Sequence, residues 1–440
     1  MNDGALPGRL VTDRRTVLRG LAAGAIGAFA GVGLAGAASA KDPADPDPTG
    51  ADRQVVLRRW VGASGFAHGT HDGTKHKESG AYISAPIGTL SYTDPFLGGT
   101  KDYEYGTWTS PWVDNGFAAS QAVTSWNALT PADTWVQSEM RGVTPAGTAT
   151  KWYVMGRWAA DDTQFSRTSV PSQGDTDGYV DIDTFVARSG GLTSWQLRLT
   201  LFRPVGSHDT PVVHAFGAMC SWLPAAGVDA PSTPQRALGT VLPVPLFSQD
   251  VHLGQYPQWD NGGEAWCSPT STSMVLAYWG TGPTAQDYAW VEATYADPWV
   301  DYAARNTYDN NYEGCGNWPF NSAYAGRFGL DAFVTRLRSF NEVEKFIEAG
   351  IPVVVSCAFK KGQIPGADYN TNGHLLVIVG FTENGDVVMN DPAAVDDAAV
   401  RKVFGRPQFE TAWRNTSGGI VYIIHPAHVN LPVAPEQANW

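Results

Sequence analysis

The sequence contains few cysteines and is short of positive charge. Four cysteines in 440 residues are too few for a disulfide-stapled scaffold, and no C-x-x-C pair marks a structural zinc site. Lys and Arg number 30 against 43 Asp and Glu, which gives a net charge of −13. Binding to nucleic acids or to anionic membranes depends on a high density of positive charge on the protein, so neither is an expected partner.

Long apolar runs are also scarce. After residue 40, no segment reaches the ~18 uncharged apolar residues of a membrane helix, so we expect no span in the rest of the chain. Hydrophobic residues nevertheless make up 43% of the sequence and charged residues 17%, which excludes global disorder. A chain of this length predicts two or three folded domains.

The first forty residues have the pattern of an export signal. Arg14 and Arg15 precede an uncharged, Ala- and Gly-rich stretch over 20–40, which ends in the cleavage pattern Ala38-Ser39-Ala40. The paired arginines resemble a twin-arginine signal, so we expect the twin-arginine export machinery as a partner and a secreted protein. A Sec signal or a retained anchor are the alternatives. Residues 1–40 carry four Arg and two Asp, so the processed chain would carry −15.

Segments rich in proline divide the remaining chain. Residues 41–53 are expected to be a flexible lead-in, and residues 224–242 are expected to be an interdomain linker. The predicted folded regions are therefore 54–223 and 243–430, followed by a tail over 431–440.

The pattern of residues 54–223 is typical of an all-β domain. Alternating or apolar segments predict strands at Lys151–Trp158, Gly178–Val186 and Trp195–Leu201. Short strands separated by turn residues favour a β-sandwich. Nine of the 17 tryptophans lie here, either as core residues or as a face that binds a carbohydrate or cell-wall polymer. Asp175, Asp177 and Asp181 lack the spacing of a calcium loop and are interpreted as a solvated turn.

Residues 243–430 mix helix and strand signals. Ser268–Trp279 has apolar positions at helical spacing and predicts a helix with one buried face. Asn341–Ala349 predicts a second helix with Asn341 as its N-cap. Apolar runs predict four strands, at 352–359, 375–381, 386–390 and 420–425. A helix followed by a run of strands indicates an α+β domain.

Cys267 comes directly before Ser268-Pro269 and therefore lies at the start of the first helix. Proline is favoured in a first helical turn, and a helix N-terminus favours the thiolate form of a cysteine. Gly262-Gly263 would let the chain approach closely. A buried structural cysteine is the alternative.

His374 and Asp391 flank a predicted hairpin. The turn signal Glu383-Asn384-Gly385-Asp386 lies between the strand that His374 opens and the strand that Asp391 closes. Folding at this turn brings both side chains to the same open end, a few residues out of register. An aspartate that accepts from one imidazole nitrogen leaves the other nitrogen to face a thiol.

The motifs Glu264-Ala-Trp-Cys267-Ser-Pro, Gly373-His-Leu-Leu-Val-Ile-Val-Gly380 and Asn390-Asp-Pro392 resemble the C39-like (papain-like) peptidase family over residues 241–426. The resemblance implies an α+β papain-like peptidase domain preceded by an all-β accessory domain. The implied roles are nucleophile for Cys267, base for His374, orienting carboxylate for Asp391 and oxyanion donor for Gln249.

Two features depart from the family pattern. The nucleophile is followed by Ser268 where the family commonly has glycine, and Gln249 lies 18 residues before the cysteine with Gln255 and Gln258 between. The segment Gly316–Asn321 is interpreted as a fixed loop that forms a wall of the substrate groove. Cys315 and Cys357 could be joined by a disulfide outside the cell or remain free.

The expected activity is hydrolysis of peptide or amide bonds through a thioester, a reaction that requires no metal or organic cofactor. The substrate is expected to be a protein or peptide. Two alternatives remain: a catalytically inactive protein that binds a surface polymer, and an acyl transferase of transglutaminase type.

Overall fold

A computed structural model describes residues 53–440, apart from residues 189, 226, 228 and 229. The expected export signal (1–40) lies outside the described residues, as does the lead-in except for its last residue. Within the described part of the chain, no helix combines the length and the apolar character needed to cross a membrane.

The first half of the described chain is β-rich, as predicted. Two seven-stranded sheets have the orders β11-β12-β8-β14-β4-β3, with β1 also beside β14, and β10-β9-β13-β6-β2, with β5 beside β6 and β7 beside β13. The strands are β1 Gln54–Val61, β2 Thr70–Asp72, β3 Thr74–Lys77, β4 Gly80–Ile83, β5 Gly88–Thr93, β6 Thr100–Thr109, β7 Val113–Ala119, β8 Gln121–Leu129, β9 Trp135–Val143, β10 Tyr153–Trp158, β11 Gly178–Asp181, β12 Thr184–Ala187, β13 Leu192–Pro204 and β14 Val212–Trp222, with a short helix α1 at Gly62–Phe66.

An aromatic core joins the two sheets in a sandwich-like packing. Trp60 of the first sheet packs edge-on against Trp108 and Trp195 of the second, with ring centroids 5.4 and 6.0 Å apart. The core interpretation is confirmed for the six tryptophans that are buried, whereas Trp112 and Trp222 are about 40% exposed; the buried six are Trp60, Trp108, Trp126, Trp135, Trp158 and Trp195.

One predicted strand of this domain is wrong. The segment Gly178–Val186 is not a single strand, because β11 and β12 are antiparallel neighbours with Asp181 opposite Thr184. The two-residue turn between them is Ile182-Asp183, and Ile182 has φ +58°. A β-branched residue rarely adopts this left-handed conformation. The turn also contains neither Gly nor Asn, the residues that usually mark a two-residue hairpin turn in a sequence.

Asp175 lies in a turn, as interpreted from the sequence. Its carboxylate accepts from the backbone N–H groups of Asp177 and Gly178 and from the Tyr153 hydroxyl. Among the described residues, no three His, Cys, Asp or Glu side chains form a group that could hold a metal ion.

The second half combines helices with a six-stranded antiparallel sheet of order β15-β20-β16-β17-β18-β19. Its helices are α2 Cys267–Tyr278, α3 Pro298–Thr307, α4 Trp318–Gly326, α5 Phe340–Glu348 and α6 Arg406–Ser417, and its strands are β15 Leu330–Arg336, β16 Val353–Phe359, β17 Thr371–Phe381, β18 Val387–Asn390, β19 Arg401–Phe404 and β20 Ile420–Pro426.

The two predicted helices and four predicted strands of this half are confirmed within a few residues, but three details were wrong. Residues 267–276 of α2 are all buried, so the helix has no solvent face. Ser339 precedes α5, not Asn341, whose side-chain oxygen accepts from Arg406 instead. Helices α5 and α6 also lie between strands in the sequence, so the helices do not all come first.

The two halves share buried contacts. The Asn127 amide on β8 donates to the Ala332 carbonyl at 2.8 Å and accepts from the Ala332 N–H at 3.1 Å. Phe320 and Ala323 of α4 belong to the core of the sandwich. Arg59 and Asp331 form an ion pair across the same boundary. The first domain therefore packs directly on the elements that surround the cleft described below.

Candidate active site

Cys267 is the first residue of α2 and is 8% exposed. Two glycines before it allow the chain to fold tightly there. A Cβ on Gly262, which has φ +85°, would come within 2.6 Å of the Gln255 carbonyl oxygen, and one on Gly263 within 2.3 Å of that of Gln249. Larger residues would therefore push the segment that leads into Cys267 away from Gln249.

His374 and Asp391 lie together, with His374 Nε2 2.8 Å from Asp391 Oδ1. Val377 of β17 pairs with Asn390 of β18, so Asp391 follows the strand on the next step and reaches back to His374. His374 itself lies inside β17, which begins three residues earlier at Thr371. Because Nε2 is taken by Asp391, Nδ1 is the ring nitrogen available to a thiol.

The sulfur of Cys267 lies beside this imidazole and favours its protonated form. Burial alone would lower the pKa of His374, but the hydrogen bond to Asp391 and the neighbouring Cys267 sulfur raise it to about 9. For Asp391, burial alone would raise the pKa, yet His374 and Lys402 depress it well below its usual range. The pair is therefore an imidazolium–carboxylate pair at neutral pH.

Asp391 has further donors that the sequence analysis missed. The Tyr369 hydroxyl and Lys402 Nζ each lie 2.9 Å from Asp391 Oδ2, and the Ala393 N–H donates to Oδ1 at 3.1 Å. Burial and the adjacent Asp391 raise the pKa of Tyr369, so its phenol remains a donor. Lys402 belongs to β19, which pairs with β18, and this register carries its ammonium to the carboxylate.

Gln249 lines the same cleft as Cys267 and His374. Its side-chain amide donates to the Glu264 carbonyl at 2.8 Å, and its backbone N–H donates to the Pro392 carbonyl at 2.9 Å. Gln255 instead bonds to His252 and to the Val251 carbonyl and is not part of the cleft lining. Of the three glutamines considered, Gln249 is the one among the residues that line the cleft.

A buried contact supports the turn that carries Gln249. His252 and Asp301 of α3 are both fully buried, and His252 Nδ1 lies 3.3 Å from Asp301 Oδ2. Since the turn at 250–252 follows Gln249 directly, this pair fixes the glutamine to the body of the domain.

The cleft has a volume of about 1140 Å³ and is lined by the residues around Gln249 and Cys267, by 366–375 and by residues after Asp391. Tyr312, Gly316 and Trp318, called the cleft wall below, also line it. Gly316–Asn321 was expected to be a loop, which is wrong for 318–321. These residues form the first turn of α4, which Asn317 caps by accepting from the Phe320 N–H.

Negative charge predominates along the cleft. Asp250, Asp260, Glu264 and Asp368 line it, and among the described residues none of them pairs with a basic side chain. Burial raises the pKa of Asp260 to about 6, and burial together with Asp391 raises that of Asp250. The two lining cations, Lys402 and the His374 imidazolium, are both already paired with Asp391.

All four cysteines are free thiols, so the Cys315–Cys357 disulfide that the sequence left open is not formed. Cys220, Cys315 and Cys357 have no exposed surface, whereas Cys267 reaches the cleft. Cys357 lies directly opposite His374 in the sheet, where it fills the core.

Fold and site together define a β-rich protein of two closely packed domains with a cysteine, a histidine and an aspartate gathered in one cleft. Residues 241–421 match the Peptidase_C39 like family, and residues 56–221 match the Peptidase C39 N-terminal domain. The second half of the chain therefore belongs to the C39-like peptidase family, and the first half is the N-terminal domain that accompanies it.

No curated protein matches the sequence. Among solved structures, the chain is similar to the enzymatically active domain of bacteriophage CBA120 tailspike protein 4 (8% identity, TM-score 0.17, 40% of this chain and 21% of that chain) and to a carbohydrate-binding module of the β-sandwich superfamily (13%, 0.16, 39% and 58%). The chain thus spans less than two thirds of either structure, and scores this low carry no argument about fold or function.

Proposed function

We propose that this protein is a cysteine peptidase that cleaves peptide or amide bonds through a thioester on Cys267. The observation that carries the proposal is the placement of Cys267 at a helix start beside His374, whose Nε2 is 2.8 Å from a buried Asp391. The packing of α2 against β17 supports a papain-like arrangement, because the Ser271 hydroxyl on α2 donates to the Leu375 carbonyl next to His374.

In the proposed site, the proton of Cys267 already resides on His374 before substrate binds, so a thiolate lies beside the imidazolium. The thiolate attacks the carbonyl carbon of the scissile bond, and the oxyanion forms near the Gln249 amide and the Cys267 N–H. One such donor is worth on the order of 3 kcal/mol of barrier.

The tetrahedral intermediate then collapses. The C–N bond breaks as His374 gives its proton to the leaving amine, which leaves an acyl thioester on Cys267. Water, deprotonated by His374, attacks the thioester, and the carboxylic acid product leaves as the thiol is regenerated. Asp391 keeps the imidazole in one tautomer and stabilises its charge throughout.

Thiol labelling tests the nucleophile. Because the other cysteines have no exposed surface, iodoacetamide should label the native protein once, at Cys267, and the unfolded protein four times. Cys267→Ala should remove both the native label and peptide hydrolysis, while Cys220→Ala, a change of the same kind in the sandwich core, should keep both. Hydrolysis that persists in Cys267→Ala would disprove the assignment, and absence of labelling at Cys267 would favour an inactive binding protein.

The negative cleft gives an expectation for the substrate. Asp250, Glu264 and Asp368 lack a basic partner within the described chain, so a peptide with Lys or Arg near the cut site gains an attraction that an acidic peptide does not. Digestion of a diverse peptide library, with the cut sites read by mass spectrometry, should enrich basic residues. Adding a primary amine distinguishes hydrolysis from acyl transfer, since transfer would yield the amide product.

We propose that the protein is exported through the twin-arginine pathway and acts outside the cytoplasm. Arg14-Arg15 and Ala38-Ser39-Ala40 support this proposal. The N-terminal sequence of the secreted protein should begin at Lys41, and replacing Arg14 and Arg15 with Lys should stop export. A secreted form that retains residues 1–40 would contradict cleavage there.

A further inference from the structure

The cleft wall is fastened from the N-terminal domain. Trp318 begins helix α4, and its backbone N–H donates to Asp183 Oδ2 at 2.8 Å. The first four N–H groups of a helix lie beyond the reach of its own carbonyl groups, and Asp183 supplies an acceptor for this one. A carboxylate at this end of the helix is also favoured by the helix dipole. Asp183 therefore binds the start of α4 from the other domain.

The turn that carries Asp183 is strained. Asp183 is 1% exposed and follows Ile182, whose φ of +58° places a β-branched residue in the left-handed region. Such a conformation persists where the surrounding structure determines it, and it is found at functional positions. Here the turn directs the carboxylate out of the sandwich and onto α4.

A second contact fixes the segment before α4. The backbone N–H and hydroxyl of Ser169 donate to Asp309 Oδ1 at 2.9 and 3.2 Å. Asp309 is fully buried and also accepts from the Tyr312 N–H and, through Oδ2, from the Asn317 amide at 2.9 Å. The segment that carries Tyr312 and Gly316 is thus bound at one end by Ser169 and at the other by Asp183.

We propose that the N-terminal domain is part of the substrate site, with Asp183 and Ser169 as positioning residues that set the cleft wall against which a peptide chain lies. The inference rests on the proposed peptidase function. Neither residue touches Cys267 or His374, so their role is in peptide binding and not in the proton transfers at the thiol.

Asp183→Ala tests the proposal by separating binding from chemistry. The Trp318 N–H loses its acceptor, the cleft wall shifts, and KM for a cleaved peptide should rise roughly tenfold, as expected for the loss of one buried hydrogen bond to a charged group. The value of kcat and the rate of Cys267 alkylation by iodoacetamide, which report on the thiol and imidazole alone, should stay within about twofold. Asp183→Asn keeps an acceptor oxygen and should restore most of the affinity.

Asp175→Ala is the matched control. Asp175 is a carboxylate in the turn that leads into β11, and its hydrogen bonds to Tyr153, Asp177 and Gly178 stay within the N-terminal domain, so KM should be unchanged.

If Asp183→Ala does not fold, Ser169→Ala, which keeps the backbone N–H bond to Asp309, should raise KM by a smaller factor. A wild-type KM in a folded Asp183→Ala or Ser169→Ala variant would overturn the proposal, as would an equal loss of peptide cleavage and alkylation. A wild-type chain that cleaves no peptide and is not alkylated at Cys267 would instead remove the proposed function itself.

Discussion

Asp391 accepts from four donors, more than the orientation of one histidine requires. His374, Tyr369, Lys402 and the Ala393 N–H all point at its two oxygens, and the carboxylate has no exposed surface. Several donors on a buried carboxylate keep it ionised and fix its plane. The angle at which the imidazole meets the thiol is therefore set in part by Tyr369, Lys402 and the Ala393 N–H, which hold the carboxylate.

Asp391→Asn should lower kcat by on the order of 10²-fold or more, because the imidazole loses the carboxylate that fixes its tautomer and charge. Lys402→Met should lower kcat much less, since Tyr369 and Ala393 still hold the carboxylate. Steady-state kinetics measures both. The pKa of His374 by NMR should fall in each variant, further in Asp391→Asn, and an unchanged pKa in Asp391→Asn would contradict the ion pair.

The pair should also make stability depend on pH. The pKa of His374 is raised to about 9, so its stabilising contribution is complete below about 6.5 and is lost as the pH rises through 9. The pKa of Asp391 is depressed, so its contribution is present above about 4 and is lost in acid. Denaturant unfolding of the wild type and His374→Gln should show the largest difference near pH 5–6, up to ~3 kcal/mol, and a much smaller one at pH 10. A constant difference would contradict the linkage.

Among the elements, the β17–β18 hairpin brings His374 and Asp391 together. Its turn contains Gly385 at φ +86°, and a Cβ there would lie 2.2 Å from Pro234 Cγ in the segment between the domains. The turn is therefore constrained twice, by its backbone conformation and by close packing of Pro234 and Leu238 against it. A side chain at this position would disturb the register that aligns the two catalytic candidates.

Gly385→Ala should destabilise the protein by roughly 2–4 kcal/mol and reduce activity. Gly329→Ala is a matched control with φ +80° and open space around its Cβ, so it should cost only about 1 kcal/mol and leave activity intact. Thermal unfolding and kinetics on both variants give the comparison. Equal losses of stability would mean that the contact with Pro234 is unimportant.

For the whole molecule, the two domains share their cores. Val55, Val123 and Met219 of the N-terminal domain pack into the core of the peptidase domain, while Phe320 and Ala323 pack into that of the sandwich. Removing either domain would expose apolar surface and leave buried polar groups such as Asn127 without partners. We therefore expect the two domains to unfold together as one cooperative body.

Calorimetry of the described chain, residues 53–440, should give a single unfolding transition with equal calorimetric and van't Hoff enthalpies. Asn127→Ala removes both bonds to Ala332 and should lower the stability of the whole body by about 2 kcal/mol, still in one transition. Asn115→Ala, which removes an amide bonded only within the sandwich, is the control for local damage. Two separate transitions in the wild type would contradict shared cores.

Local patterns in the sequence indicated much of this architecture. The helix that Cys267 opens and the strands on either side of Asn384-Gly385 follow from apolar spacing and turn residues, because these preferences act within a few positions of the chain. The pairing of His374 with Asp391 followed from the hairpin, since a turn fixes which residues face one another. Asn341 was misassigned as a cap because Arg406, distant in sequence, binds its side chain.

The sequence alone also predicted the candidate residues Cys267, His374 and Asp391, since Cys267 begins a helix and the other two flank a hairpin that local rules can find. Only the tertiary structure decided the rest. Lys402 reaches Asp391 through the register of β18 and β19, and Tyr369 reaches it from the segment before β17. Asp183 reaches α4 through a turn that contains no glycine or asparagine from which it could be predicted. Such contacts depend on how distant segments pack, so they become favourable only once the whole core has formed.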